Sequence, residues 1–222
     1  MPTPVQSLEG TIINRVEAGE SHLRIFFFSG KKGLQIVLFR ISKKSNSLPP
    51  PDLFDDVEFV ANVSKDGSGL PFVKDFQIIK KRPEIAHDHN RFFVASTLAR
   101  LYLDNGSHLQ DTIPFGQLLI RSLGALHEGF DPPCVLFKTI FQFGRLEGLP
   151  VKEDWLANLH HKEQMEAVFR LNTKLAEQEP QKDLVMALVH SLQGWLKLSL
   201  NFSLAVLTDS SPVNCNCSIK YS

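Results

Sequence analysis

The chain has 222 residues, 43% of them hydrophobic and 22% charged, with 24 basic residues against 24 acidic ones. That is enough chain to bury a sizeable core in one large domain or two small ones, and zero net charge excludes a protein whose whole body attracts polyanions. No run approaches the ~20 apolar residues of a membrane span, MPTPVQSLEG lacks the charged and apolar regions of a signal peptide, and the three cysteines form neither a disulfide framework nor a CxxC pair, so the expectation is a cytoplasmic protein that crosses no membrane.

From residue 8 to about residue 80 the pattern is one of short strands. GTIINRV, HLRIFFF, LQIVLFRI, DVEFVANVS and LPFVKDFQIIK are rich in β-branched and aromatic residues, which suit a pleated, half-buried surface. Gly30-Lys31-Lys32-Gly33 and Asp66-Gly67-Ser68-Gly69 supply permissive hairpin loops between them. Five strands with no helix-length segment among them predict a small barrel, most economically a five-stranded OB-fold.

After Lys80-Lys81-Arg82-Pro83 the period changes. Val94, Leu98 and Leu101 fall at helical spacing, with Asn105-Gly106 as a stop; a second helix carries Phe115, Leu119, Leu123 and Leu126. Asp131 is a natural N-cap for a third, striped with Leu136, Ile140 and Phe143. A fourth helix is predicted over HKEQMEAVFRLNTKLAEQE and a fifth from near Gln181, ending about Trp195 in an extended segment where Leu196, Leu198, Leu200, Phe202 and Leu204 alternate. The class is therefore α+β: an OB-fold domain over 1–82, an all-α domain over 83–207 and a loose tail over 208–222.

The charges are segregated. Between Ser21 and Pro51 stand Arg24, Lys31, Lys32, Arg40, Lys43 and Lys44 with no acidic residue, leaving the rest of the chain net acidic. A barrel with positive loops and with Phe26, Phe27, Phe28 and Phe39 in its strands has the parts of a single-strand binding face, an electrostatic track beside stacking surfaces. The plainer reading is that the lysines are solvated loop residues that protect strand edges.

Other constellations carry less. His87-Asp88-His89 offers metal-ligand types but sits where polar residues cap helices, and His160-His161 faces two sides of a helix start. Cys215-Asn216-Cys217 is too closely spaced for a zinc knuckle, and Asp55-Asp56 and Glu153-Asp154 read as solvated loop carboxylates. None of the nucleophile, phosphate-loop or zincin motifs is present, so neither an enzyme nor a cofactor is expected.

In EGTIINRVEAGESHLRIFFFSGKKGLQIVLFRISKKSNS, Gly19-Glu20-Ser21-His22-Leu23 steps into a strand, Phe28 to Gly33 form a turn, and Arg40-Ile41-Ser42-Lys43-Lys44-Ser45 make a basic loop. This order, with RFFVASTLARLYLDNGSHLQD and FKTIFQFGRLEGLP in the helical half, resembles the RecO family of recombinational DNA-repair proteins. The resemblance implies an OB-fold that binds single-stranded DNA, strand annealing, and partnership with RecR and with the C-terminal tail of single-stranded DNA-binding protein, on the nucleoid when bound to DNA.

Carried over by position, Arg24, Lys31, Lys32, Arg40, Lys43 and Lys44 are the implied DNA contacts. Phe137, Ile140 and Phe141, with Arg121, Lys138 and Arg145, are the implied partner site, an apolar surface with cations for an acidic peptide. Two departures stand out: residues 149–161 hold no cysteine where many family members carry a four-cysteine zinc module, so zinc is not expected, and the basic loop has fewer arginines than is usual. An interaction scaffold with weak or no DNA binding is the alternative.

Overall fold

The structure, a computed structural model, describes residues 4–41, 49–63 and 69–200, with side chains to 198. Lys43, Lys44, Cys215, Cys217 and the expected tail lie outside the described residues.

Five strands form the N-terminal half: β1 (Val5–Glu17), β2 (His22–Ser29), β3 (Gly33–Arg40), β4 (Asp56–Asn62) and β5 (Phe72–Lys80). They close in the order β1-β2-β3-β5-β4, antiparallel except for the β3–β5 seam, where Leu38 pairs with Phe72. This is the expected OB-fold barrel. The long β1 makes closure possible, pairing with β4 through Val5 to Thr11 and with β2 through Thr11 to Glu17.

Strand alternation sorts the phenylalanine triplet. Phe27 points inward with Ile25, Val37, Phe39 and Phe59 to fill the barrel, while Phe26 and Phe28 point outward into the core shared with the helices. Each fully buried ring contributes roughly 1.5–3 kcal/mol. All four phenylalanines expected as stacking surfaces are buried: Phe27 and Phe39 because they fill the barrel, Phe26 and Phe28 because the outer face of β2 serves as a docking surface for helices.

The helical half consists of α1 (Pro83–Ala86), α2 (His89–Asn105), α3 (Thr112–Glu128), α4 (Pro132–Leu146), a π-helical turn (Val151–Leu156), α5 (His161–Asn172), a 3-10 turn (Leu175–Glu177) and α6 (Lys182–Leu200). Asp88, Asp111 and Asp131 each cap a helix, accepting from the backbone N–H of Arg91, Ile113 and Cys134. No group of three potential metal ligands occurs among the described residues, and no described helix is long and apolar enough to cross a membrane.

Two helix boundaries differ from expectation. The fourth helix stops at Asn172: Thr173 is extended (φ −83°, ψ 139°), and the freed carbonyl of Thr173 accepts from Lys138 Nζ (2.5 Å) and Gln178 Nε2 (2.7 Å). The last helix runs through Trp195 to Leu200 in place of an extended segment. Leu188, Leu192 and Leu196 are buried at a spacing of four, which outweighs the period-two pattern; Leu198 is 90% exposed.

The barrel is clamped to the helices at two places. At the β2–β3 turn, a Cβ on Gly116 of α3 would stand 2.7 Å from Gly30 Cα, so the glycine at 116 permits a backbone approach that a side chain there would block. The Thr112 hydroxyl donates to Gly30 O (2.9 Å) across the same contact. The second clamp is Arg82, 3% exposed, which binds Asp56 through Nη1–Oδ1 (2.9 Å) and Nη2–Oδ2 (2.6 Å) and donates to Phe54 O. Asp55 and Asp56 are thus not a solvated pair: Asp55 is 4% exposed, and burial raises its carboxyl above the ordinary value.

Candidate nucleic-acid interface and partner groove

The barrel end formed by the β1–β2 turn, the end of β3 and the start of β5 gathers cations on its outer face. Inward-pointing Ile25, Val37 and Val73 fix the parity, so that His22, Arg24, Leu38, Arg40, Phe72 and Lys74 point outward. Register brings them together: His22 pairs with Arg40, Arg24 with Leu38, and Leu38 with Phe72. Arg24 and Arg40 are diagonal neighbours, whose Cα atoms stand about 7–8 Å apart in such a pair, and both are exposed.

Beside them a groove of about 530 Å³ runs along the β3–β5 seam, lined by Phe39, Arg40, Ile41, Pro49, Pro50, Asn62, Phe72, Val73, Lys74, Asp75 and Phe76. The rings of His22 and Phe72 meet edge to face, centroids 5.8 Å apart, at its margin. Both residues are half-buried, so part of each ring faces solvent.

The six DNA contacts implied by the sequence therefore divide. Arg24 and Arg40 share this face. Lys31 and Lys32 occupy the β2–β3 turn at the opposite end, about 23 Å away along β3 at the usual rise of ~3.3 Å per residue, next to the N-terminus of α3. Lys31 Nζ there stands 3.9 Å from Glu9 Oε2, both side chains exposed, a pairing of little energetic weight.

On the helices, α3, α4, α5 and the π-helical turn enclose a groove of about 680 Å³. Its walls include Leu118, Val135, Phe141, Leu156, Leu171 and Leu175; its polar lining comprises Arg121, Ser122, Lys138, Thr139, Gln142, Arg145, Lys152 and Asn172, with no carboxylate. Helix periodicity explains the composition. Lys138, Phe141, Gln142 and Arg145 lie on one face of α4, whereas Phe137 and Ile140 lie on the other, 0% and 1% exposed within the core. Of the six partner-site residues implied by the sequence, Arg121, Lys138, Phe141 and Arg145 thus converge, and Phe137 and Ile140 do not reach the groove because they pack α4 against its neighbours.

Lys138 is held by Thr173 O and Leu171 O, the latter at 3.5 Å, and burial lowers its ammonium pKa. Arg121 donates from Nε to Gln117 O (3.3 Å) within α3. Arg121, Arg145 and Lys152 are exposed. An apolar floor rimmed by cations suits a short segment with apolar side chains and negative charge.

Sequence reasoning missed Lys152, Lys74, His22 and Phe72. The parity of β5 about Val73 holds the signal for Phe72 and Lys74, and that of β2 about Ile25 the signal for His22. Compared with known proteins, the chain matches no protein-family model, and no curated protein matches it in sequence.

Proposed function

We propose that this protein is a RecO-like mediator of DNA repair and recombination: its OB-fold barrel binds single-stranded DNA, and its helical half docks protein partners, including a RecR-like protein and the acidic C-terminal tail of a single-stranded DNA-binding protein. The observation that carries the reading is the helical groove, whose polar lining holds Arg121, Lys138, Arg145 and Lys152 but no carboxylate, over an apolar floor. Packing of α3 on α4 is already provided by buried contacts such as Ser122 to Thr139 (2.8 Å), and Lys138 is engaged by Thr173 O and Leu171 O, but neither calls for Arg121, Arg145 and Lys152 around an open groove. The outer face of the barrel adds Arg24, Arg40 and Lys74 near one another, the arrangement that tracks a phosphate backbone.

Phosphate contacts of this number give modest affinity that falls with salt. Binding of DNA and of the acidic tail at separate sites lets one chain bring a coated single strand and its coating protein together. The test is a titration of a labelled ten-residue peptide, rich in aspartate and ending in an apolar residue, against the whole protein and its Arg121→Glu/Arg145→Glu variant. Saturable binding that the variant loses supports the reading; equal binding by both proteins removes the groove from it.

A further inference from the structure

The groove along the β3–β5 seam has a composition that separates two ligand chemistries. Arg40 and Lys74 stand on its lining and Arg24 lies one diagonal step away across β2–β3, while Asp75, next to Lys74 in β5, occupies the same lining. Asp75 accepts from the Phe76 N–H through Oδ1 (2.9 Å) and remains exposed, so its charge repels phosphate from that wall. The remaining lining is Asn62 and an apolar set that includes the rings of Phe39, Phe72 and Phe76 with Pro49 and Pro50, and His22 meets Phe72 edge to face.

We infer that this groove is a nucleobase-stacking site, with Phe72 and His22 as its stacking wall and Arg24, Arg40 and Lys74 carrying the sugar-phosphate along the outer face of β2, β3 and the start of β5. The assignment rests on the proposal that the barrel binds single-stranded DNA, and replaces the buried Phe26, Phe27 and Phe28 as the aromatic element of that site, with Phe39 only 6% exposed on the lining. Two features of the geometry favour it. Phe72 is fixed by strand pairing on both sides, to Leu38 and to Asn62, so its ring is positioned before a ligand arrives. His22 and Phe72 meet edge to face and are both half-buried, and bases stack on aromatic faces regardless of sequence.

Stacking and phosphate contact respond differently to salt, which makes the assignment testable. Each lost base–aromatic stack weakens binding by about tenfold without changing the salt slope, whereas each lost phosphate contact reduces that slope by about one. A labelled single-stranded thymidine 20-mer is titrated against wild type, His22→Ala/Phe72→Ala and Lys74→Ala at several salt concentrations, with thermal unfolding of each variant as the check on folding. Phe72→Trp supplies a second readout, because stacking on a base quenches its fluorescence above the change seen in wild type, whose tryptophans are both in the helical half.

The expected result is an affinity loss of tenfold or more with an unchanged slope in His22→Ala/Phe72→Ala, a shallower slope in Lys74→Ala, and extra quenching in Phe72→Trp. Wild-type affinity in the double alanine variant, or DNA binding that leaves Phe72→Trp unquenched, overturns the stacking assignment while the DNA-binding proposal stands. No binding by wild type at low salt overturns both.

Discussion

Replacing Arg82 by methionine removes the guanidinium that joins the barrel to the first helix. In the folded chain, Arg82 makes two hydrogen bonds to the Asp56 carboxylate, at 2.9 and 2.6 Å, and a third to Phe54 O. Its side chain is fully buried and that of Asp56 is 15% exposed. In the variant Asp56 retains the Thr11 hydroxyl, which donates to Oδ1 at 2.6 Å, but its charge loses its counter-ion and Phe54 O loses a donor. Breaking one side of a buried pair in this way costs about 3–5 kcal/mol. Methionine fills part of the volume, so the loss is electrostatic and not a cavity. At about 2–4 °C per kcal/mol for a chain of this size, the midpoint of thermal unfolding falls by roughly 6–20 °C. Adding Asp56→Asn to Arg82→Met removes the stranded charge and restores part of the loss, which a double-mutant cycle measures. A midpoint within about 2 °C of wild type in Arg82→Met, or a double variant less stable than the sum of the singles, refutes the argument that this pair holds the barrel to the helices.

Further outcomes follow from other buried groups. Burial raises the Asp55 carboxyl above 3.8, so the folded state holds its proton to higher pH than the unfolded chain. Charged Asp55 therefore destabilises the fold above that raised value, and the contribution is relieved as pH falls toward the ordinary one. Asp55→Asn gains on wild type as pH rises from about 4 to 7 in urea unfolding; a constant difference contradicts the sign. The Cys134 thiol, 1% exposed and pushed up to about 12 by burial, resists alkylation at pH 8 in the native protein and reacts on unfolding, read by mass spectrometry of its own peptide. Lys138→Met removes the donors to Leu171 O and Thr173 O and speeds amide hydrogen exchange over residues 171–178 before the rest of the helices; uniform exchange would show that the lysine does not hold that break.

Much of the architecture was legible because local chemistry and tertiary packing agree. The β5 end at Lys80, the Asp88 and Asp131 caps and the Asn105 end of α2 all stand where turn and cap residues place them. What escaped the sequence depended on pairings between distant segments. Whether Arg82 is surface or core is decided by Asp56, twenty-six residues earlier in the chain. The end of α5 is decided by Lys138, whose Nζ reaches Thr173 O from α4, and no pattern within α5 reveals it. Among the candidate site residues, charge runs identified Arg24 and Arg40 but joined them to Lys31 and Lys32, because adjacency in sequence conceals that β3 carries the two pairs to opposite ends of the barrel. Phe137 and Ile140, which the family resemblance implies as partner-site residues, pack within the core, because residues 137 and 138 project on different faces of a helix.

The central claim, that the barrel holds single-stranded DNA on the face bearing Arg24 and Arg40, is tested most directly by fluorescence anisotropy of a labelled single-stranded oligonucleotide at low and near-physiological salt. Wild type is compared with Arg24→Glu/Arg40→Glu and with Lys31→Glu/Lys32→Glu. The account predicts salt-sensitive binding that prefers single strands to duplex, is lost in the arginine variant and is largely kept in the lysine variant. Equal binding by wild type and the arginine variant, or none by wild type at low salt, would contradict it.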